Sequence, residues 1–230
     1  ALSSAASDVY KRQVFNRTTE TDLTEDQLPQ VDIYKYKQVI FVGDSRTEFM
    51  ENVLTGMGES ATKNVKFVCS AGKGLDWFTT TGWAQLYSIV QHDSNSILSK
   101  KTAVIFNFGV NDLSKSADYA EYYNWIAPQL KSKGCELYFM SVNPVNRLML
   151  PNAGRADRSE AAVRSFNQYM KANLSSAYTY IDMYSYLKST GYSFASDHYG
   201  TGTVDDGLHY TTRTYKRIFA KCMDSLRVPA

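Results

Sequence analysis

Cysteine is scarce in this sequence of 230 residues, and the three that occur form no CxxC pair. Cys69 and Cys135 lie in or beside apolar, strand-like runs, and Cys222 lies in a helical pattern. These surroundings are typical of buried free thiols. We therefore expect three unpaired cysteines, which do not settle the compartment of the protein.

Long apolar stretches and runs of like charge are also missing. No segment is long enough to cross a bilayer, which predicts a soluble chain without a membrane partner. The 25 basic residues are scattered and the formal net charge is only +2, so the composition does not favour nucleic acid or anionic lipid as a partner. The expected partner is a neutral or small ligand.

Histidine is equally rare. His92, His198 and His209 share no HExxH or other ligand spacing, and the sequence therefore predicts no protein-bound metal. His92 falls in a helical pattern and His198 in a polar segment, where we expect both side chains to be solvated. His209 differs from them, because it closely follows two aspartates and precedes the last helical segment.

The remaining composition is that of an ordinary globular domain, with 43% hydrophobic and 21% charged residues. The length fits one domain with a sizeable core, predicted at residues 38–230. Residues 1–37 are interpreted as an N-terminal arm that is polar from residue 14 onward and packs loosely on the domain. Its first thirteen residues end in "DVYKRQ", which one reading frame of a transposon-end sequence used in sequencing libraries encodes, so we expect residues 1–13 to be non-native.

Short β-branched or aromatic runs alternate with segments of helical spacing along the predicted domain. The runs lie at 38–43, 65–70, 102–109, 135–142 and 178–183. The helical segments lie at 46–56, 82–99, 117–133, 156–174 and 211–226. The runs are apolar enough to be covered on both faces, and the alternation implies parallel strands with right-handed crossovers. The sequence therefore predicts an α/β fold, a three-layer α/β/α sandwich with a five-stranded parallel sheet.

The stretch "FVGDSRTEFM" (41–50) places Ser45 between the first strand and the first helix. A hydroxyl there can cap the helix by accepting a backbone N–H. It can also act as a nucleophile, because open α/β sheets bind ligands at the carboxyl ends of their strands. This stretch alone leaves both interpretations open, since a nucleophile also needs a base, an orienting acid and donors for an oxyanion.

Residues near the other predicted strand ends and before the last helix supply these groups. His209 is a candidate general base, and Asp206 is a candidate for holding its imidazole in the required tautomer, with Asp205 as the alternative acid. Asn111 offers a side-chain amide, and Gly74 offers a backbone N–H with no Cβ in the way. Such donors are the parts of an oxyanion hole.

Four short blocks, in chain order, resemble the SGNH hydrolase family, also called the GDSL esterases and lipases. They are "GDSR" with Ser45, "CSAGKGLDW", "GVND" with Gly109 and Asn111, and "DGLH" with Asp206 and His209. The resemblance covers about residues 38–226. It implies the flavodoxin-like SGNH hydrolase fold and a carboxylic ester hydrolase that works without a metal or organic cofactor.

By this resemblance Ser45 attacks an ester carbonyl, and water later hydrolyses the acyl-enzyme. The N–H groups of Ser45 and Gly74 and the side chain of Asn111 would hold the oxyanion. The sequence departs from the family pattern in three places. Arg46 replaces the usual leucine after the serine, the second block lacks its common asparagine, and Gly72 is an alternative to Gly74.

Arg46, Trp77 and Arg147 are the candidates for substrate contact. Trp77 could stack on a sugar, although an aromatic side chain there can equally belong to the core, and Arg147 could meet an anionic group. A polar chain with 17 tyrosines favours removal of acetyl groups from a polysaccharide. A lipase or thioesterase of the same family and an inactive glycan-binding module are the alternatives. We expect a secreted or cell-surface bacterial protein, with the cytoplasm and the oligomeric state left open.

Overall fold

The computed structural model describes residues 21–32, 35–93, 101–150, 158–195 and 205–226. In these ranges five strands form one parallel sheet in the order β2-β1-β3-β4-β5. The strands are β1 (Tyr36–Gly43), β2 (Val65–Cys69), β3 (Lys101–Asn107), β4 (Cys135–Met140) and β5 (Tyr178–Ile181). The predicted five-stranded parallel sheet is confirmed. Its order reverses between β1 and β3, and the crevice beyond the carboxyl ends of such a strand pair is where open α/β sheets bind ligands.

Helices cover both faces of the sheet. They are α1 (Ser45–Met57), α2 (Glu59–Thr62), α3 (Leu75–Trp77), α4 (Trp83–Asp93), α5 (Ser116–Ser132), α6 (Glu160–Asn173), α7 (Met183–Thr190) and α8 (Thr212–Ser225). Successive residues of β1 point to opposite faces. Ile40 and Val42 pack with α4, α5 and α6, whereas Val39 and Phe41 pack with α1, α7 and α8. The three-layer α/β/α sandwich is therefore confirmed. None of the helices in the described ranges combines the length and apolar character needed to cross a membrane.

Three helical regions differ from the sequence prediction, and one of them is the four-residue helix α2, which was not predicted. The helix expected at 82–99 begins earlier, because α3 continues through a π-helical turn (Phe78–Gly82) into α4, and residues 94–99 lie outside the described ranges. The short helix α7 was not predicted. Its residues, "MYSYLKST", are rich in types of modest helix propensity. The available signal was Asp182, whose carboxylate caps the helix by accepting the Ser185 N–H at 3.1 Å.

The described part of the N-terminal arm packs more tightly than expected. Leu28 and Val31 are buried in the core that α1 and α8 share. Lys216, in α8, donates to the carbonyl of Leu23 at 2.6 Å and pairs with Asp22 at 2.8 Å. The two apolar side chains explain the difference, since their burial stabilises an otherwise polar segment. Residues 1–13 lie outside the described ranges, and the domain boundary at residue 38 stays a prediction.

The three cysteines are free thiols in the structure. Cys135 and Cys222 are buried, and Cys69 is half-buried and donates to the Glu51 carboxylate at 3.3 Å. Burial, together with that carboxylate, raises the pKa of Cys69, and burial also raises the pKa of Cys222. Because thiols react as thiolates, these two cysteines should be inert.

Candidate active site

Ser45 lies at the first position of α1, directly after β1. Asp44 is the N-cap, because its carboxylate accepts the Arg46 N–H at 3.0 Å. The alternative in which Ser45 caps the helix is therefore wrong, and its hydroxyl is available to other groups. Gly43 allows the chain to turn tightly here, because a Cβ at this position would collide with the Thr47 side chain.

A chain of hydrogen bonds joins Ser45, His209 and Asp206. Nε2 of His209 lies 2.9 Å from Oγ of Ser45. Nδ1 of the same ring lies 2.6 Å from Oδ2 of Asp206. The side chains of His209 and Asp206 are 12% and 20% exposed, so a small molecule can reach the imidazole edge from solvent. The structure thus brings together the three residues predicted to be catalytic.

The two candidate aspartates occupy different places in the loop before His209. Oδ1 of Asp206 accepts the N–H groups of Leu208 and His209, each at 2.8 Å, while Oδ2 contacts the imidazole. Asp205 accepts the Gly207 N–H at 2.7 Å. Asp206 is therefore placed to orient the imidazole, and Asp205 is engaged in shaping the loop.

The electrostatics of Asp206 fix the state of the imidazole. Burial raises the pKa of Asp206, but the hydrogen bonds from the His209 ring and from the N–H groups of His209 and Leu208 lower it more, so the net pKa is lowered. The carboxylate stays ionised and accepts a proton-bearing Nδ1. The lone pair of a neutral His209 is then on Nε2, facing the Ser45 hydroxyl.

Phe49 packs against the His209 imidazole, and the sequence analysis did not identify it. Its ring stacks on that of His209 with 4.3 Å between centroids and 26° between planes. Phe49 lies four residues after Ser45 on α1, and residues at that spacing share a helix face. This spacing was the available signal, but the loop that brings His209 over the helix is not visible in local sequence.

Arg46 does not have the position predicted for a substrate-binding residue. It is 3% exposed. Its guanidinium donates to the carbonyls of Leu208, Asn143 and Pro144 at 2.9, 2.9 and 2.8 Å, and it lies over the Tyr210 ring. With Nε and both terminal nitrogens bonded to main chain, Arg46 ties the loop after β4 to the loop that carries His209.

Burial raises the pKa of Asp44 to about 6, although the N–H and charge of Arg46 lower it. The Asp112 carboxylate adds a smaller upward contribution. Between the usual value of 3.8 and about 6, the folded protein holds a proton that the unfolded chain has released. Stability should therefore fall as pH rises through this window, and the loss is complete above about 6.

Asp44→Asn should remove this pH-dependent loss of stability, because an amide does not titrate in this range. The amide oxygen can still cap α1. As pH rises from 4 to 7, the unfolding free energy of the variant minus that of the wild type should increase by on the order of 3 kcal/mol. Urea unfolding of both proteins at several pH values measures this difference. A difference that is constant with pH would contradict the buried, proton-binding Asp44.

Gly74 and Asn111 are neighbours at the ends of β2 and β3. Nδ2 of Asn111 donates to the carbonyl of Lys73 at 2.7 Å. A Cβ on Gly74 would collide with the Asp112 carboxylate, which also accepts the Leu75 N–H at 2.9 Å. The absence of a side chain at Gly74 thus lets the second and third sequence blocks meet.

Gly72, the alternative glycine, has a different role. Its φ of 70° lies in the left-handed region, and a Cβ there would meet nothing within 4 Å, so the turn geometry alone favours glycine. Close contact with the Asn111 loop distinguishes Gly74 from Gly72.

The Asn111 amide and the Gly74 N–H do not point at a common acceptor in this structure. The C=O and N–H of a trans peptide point in opposite directions. Because the Lys73 carbonyl points at Asn111, the N–H of the same peptide, which belongs to Gly74, points away from it. A shared oxyanion would require this peptide to rotate.

Trp77 and Arg147, the other candidates for substrate contact, are both half-buried. Trp77 packs on Phe108 with ring centroids 6.0 Å apart, and a Cβ on Gly82 would collide with its ring. Trp77 therefore belongs at least partly to the core. Arg147 follows Asn146 in the loop after β4. Contact of Trp77 and Arg147 with substrate stays a prediction.

The remaining histidines and the acidic residues show no metal-binding arrangement within the described ranges. His92 is exposed, as predicted, and its Nδ1 lies 2.6 Å from the Ser88 carbonyl. His198 lies outside those ranges. Across the part of the chain that the structure describes, no three His, Cys, Asp or Glu side chains are grouped so that they could hold a metal ion.

Comparison with known families identifies the chain. The sequence model of the GDSL-like Lipase/Acylhydrolase family matches residues 39–222. The chain belongs to this family. It is accordingly an ester hydrolase, as the four blocks predicted. GDSL-like enzymes include lipases and acylhydrolases, so family membership leaves the substrate open.

Solved structures of SGNH and related hydrolases share the fold. A candidate acylhydrolase from Bacteroides fragilis NCTC 9343 is 15% identical, with a TM-score of 0.56 over 87% of this chain and 92% of that one. A candidate SGNH hydrolase from Slackia heliotrinireducens is 12% identical, with a TM-score of 0.58 over 84% and 100%. The acetyl xylan esterase AlAXEase is 12% identical, with a TM-score of 0.52 over 83% and 100%. A comparison with curated protein sequences finds no match.

Proposed function

We propose that this GDSL-like hydrolase is a serine esterase that removes short acyl groups, most of all O-acetyl groups, from a carbohydrate. The observation that carries the mechanism is the hydrogen-bonded chain from Ser45 through His209 to Asp206. We also propose that the protein is secreted by a bacterium or located at its cell surface.

The reaction begins when Ser45 Oγ attacks the ester carbonyl carbon and its proton passes to Nε2 of His209. Asp206 stabilises the imidazolium that forms. The tetrahedral intermediate collapses, the alkoxide leaves with the proton from His209, and the acyl group stays on Ser45. Water then attacks the acyl-enzyme with His209 as base, releasing the carboxylic acid and restoring the serine.

Three donors are proposed for the oxyanion. The Ser45 N–H lies in the first turn of α1, where helix N–H groups lack intrahelical acceptors and favour negative charge. Asn111 has a second amide hydrogen beyond the one directed at Lys73. The Gly74 N–H joins them if substrate displaces the Lys73 carbonyl and the peptide rotates, since catalytic hydrogen bonds often form only in the complex.

The loops past Ser45, Gly74 and Asn111 favour a short acyl group. They carry Lys73, Asp76, Asp112 and Lys115, with Lys115 paired to Asp76 at 2.9 Å. A true lipase tunnel would gain about 0.8 kcal/mol for each buried methylene, and charged loops offer no such gain.

An aryl acetate should therefore be hydrolysed with a higher kcat/KM than the matching octanoate. Steady-state rates with p-nitrophenyl esters of two to eight carbons test this, and acetylated glycans test the alcohol side. Labelling by a fluorophosphonate probe separates an active esterase from an inactive glycan-binding module, because only an activated serine reacts.

Hydrolysis of lipid or thioester substrates is the second candidate function. Two exposed apolar side chains in the loop after β4 favour this candidate. They are Leu148 and Met149, which are 69% and 46% exposed. This loop contacts the His209 loop through the Asn146 N–H, which donates to the Gly207 carbonyl at 2.9 Å. A clear preference for octanoate would favour this candidate and would leave the Ser45 chemistry unchanged.

A further inference from the structure

We infer that Arg158 is a positioning residue of this active site, which orients the Asn111 amide and strengthens it as an oxyanion donor. The inference rests on the proposed serine esterase function. Sequence analysis of the catalytic blocks gives no hint of it, because Arg158 lies 47 residues after Asn111.

Arg158 donates hydrogen bonds to two successive residues of the loop after β3. Its Nε donates to the Val110 carbonyl at 2.9 Å, and its Nη2 donates to Oδ1 of Asn111 at 2.6 Å. Arg158 directly precedes Ser159, which caps α6 by accepting the Ala162 N–H. The guanidinium therefore reaches Asn111 from the residue next to a capped helix end.

The contact decides which end of the Asn111 amide faces the neighbouring glycine loop. A guanidinium has only donors, whereas an amide has one acceptor end and one donor end. Arg158 can therefore bind Asn111 only through Oδ1, and Nδ2 is left on the side of the Lys73 carbonyl, 2.7 Å away. A reversed amide would set its NH2 against the guanidinium and its oxygen against a carbonyl.

The same contact polarises the amide. A hydrogen bond from a cation to Oδ1 draws electron density away from Nδ2, and charge-assisted hydrogen bonds are stronger than neutral ones. An Asn111 polarised in this way donates more strongly to negative charge that develops in the transition state. A lysine could supply the charge, but not two donors in a fixed plane.

A double-mutant cycle in the full chain tests the inference. With p-nitrophenyl acetate, we expect Asn111→Ala to lower kcat by about 10²- to 10³-fold, the usual cost of one oxyanion donor. Arg158→Ala should lower kcat by about 10- to 100-fold and leave KM within about twofold, because the effect belongs to the transition state. Arg158→Lys should give a smaller loss. Arg164→Ala, which changes an exposed arginine on α6, is the matched control and should retain wild-type kcat.

The decisive variant is Arg158→Ala/Asn111→Ala. If Arg158 acts through Asn111, the double variant is no slower than Asn111→Ala alone. A double variant whose loss is the product of the two single losses would overturn the inference. Should Arg158→Ala fail to fold by circular dichroism and thermal melting, the same cycle with Arg158→Lys decides.

A second measurement keeps this inference separate from the proposed function. The side-chain ¹⁵NH2 resonance of Asn111, assigned by its loss in Asn111→Ala, should shift in Arg158→Lys and stay in place in Arg164→Ala. An unchanged resonance in Arg158→Lys overturns the positioning role whatever the substrate is. Absence of ester turnover by the wild type would instead count against the proposed function.

Discussion

Ser45→Ala should abolish ester turnover and leave the fold intact. The side chain lost is small, and Asp44, which caps α1, remains in place. Without the nucleophile, only substrate binding and the oxyanion donors remain, and removing a triad member leaves a rate thousands of times lower. Hydrolysis of p-nitrophenyl acetate and thermal melting, measured on the same preparation, check both halves of the prediction.

Ser176→Ala is the matched control for this variant. Ser176 is exposed in the turn before β5, at the opposite edge of the parallel sheet from Ser45, and its change should alter neither rate nor melting temperature. Turnover by a folded Ser45→Ala protein at the wild-type rate would rule out the acyl-enzyme mechanism.

Asp206→Asn should lower kcat by about 10⁴-fold, as expected when the partner of a catalytic imidazole can no longer hold the required tautomer. Asp206 contacts Nδ1 of His209 at 2.6 Å, and an amide nitrogen at that place would favour the proton on Nε2, where it blocks removal of the Ser45 proton. Stopped-time assays over several hours at high enzyme concentration reach rates this low.

Asp205→Asn is the internal comparison. Asp205 accepts from the Gly207 N–H, and an amide oxygen can do the same, so we expect a loss of less than about tenfold. Equal losses in the two variants would show that the assignment of the orienting acid is wrong.

The fold was predictable because its signals are local and redundant. Each strand of the sheet is a short, nearly continuous apolar run, and all five predicted runs coincide with a strand to within two residues at the start. Helix α7 was not predicted because it has only eight residues, and because its cap, Asp182, and its first residue, Met183, were assigned to the end of the preceding strand.

The candidate site was predictable where chemistry and short spacing coincide. Asp206 and His209 are three residues apart, so one loop sets their contact. Phe49 and Arg158 could not be found in this way, because each acts on a residue far away in the sequence and their side chains are ordinary in their local patterns. Arg46 was misassigned for the same reason: a charged side chain beside a nucleophile suggests substrate, and only the folded chain reveals the carbonyls that surround it.

Arg46 has a consequence for protein engineering. At the position after the nucleophile the family usually has leucine, which needs no hydrogen-bond partners. Here an arginine satisfies three main-chain carbonyls that come from two separate loops. These loops and residue 46 therefore form one transferable unit. A chimera that takes the loops of residues 143–144 and 205–210 into a leucine-type relative would leave buried carbonyls without donors unless the arginine is transferred with them.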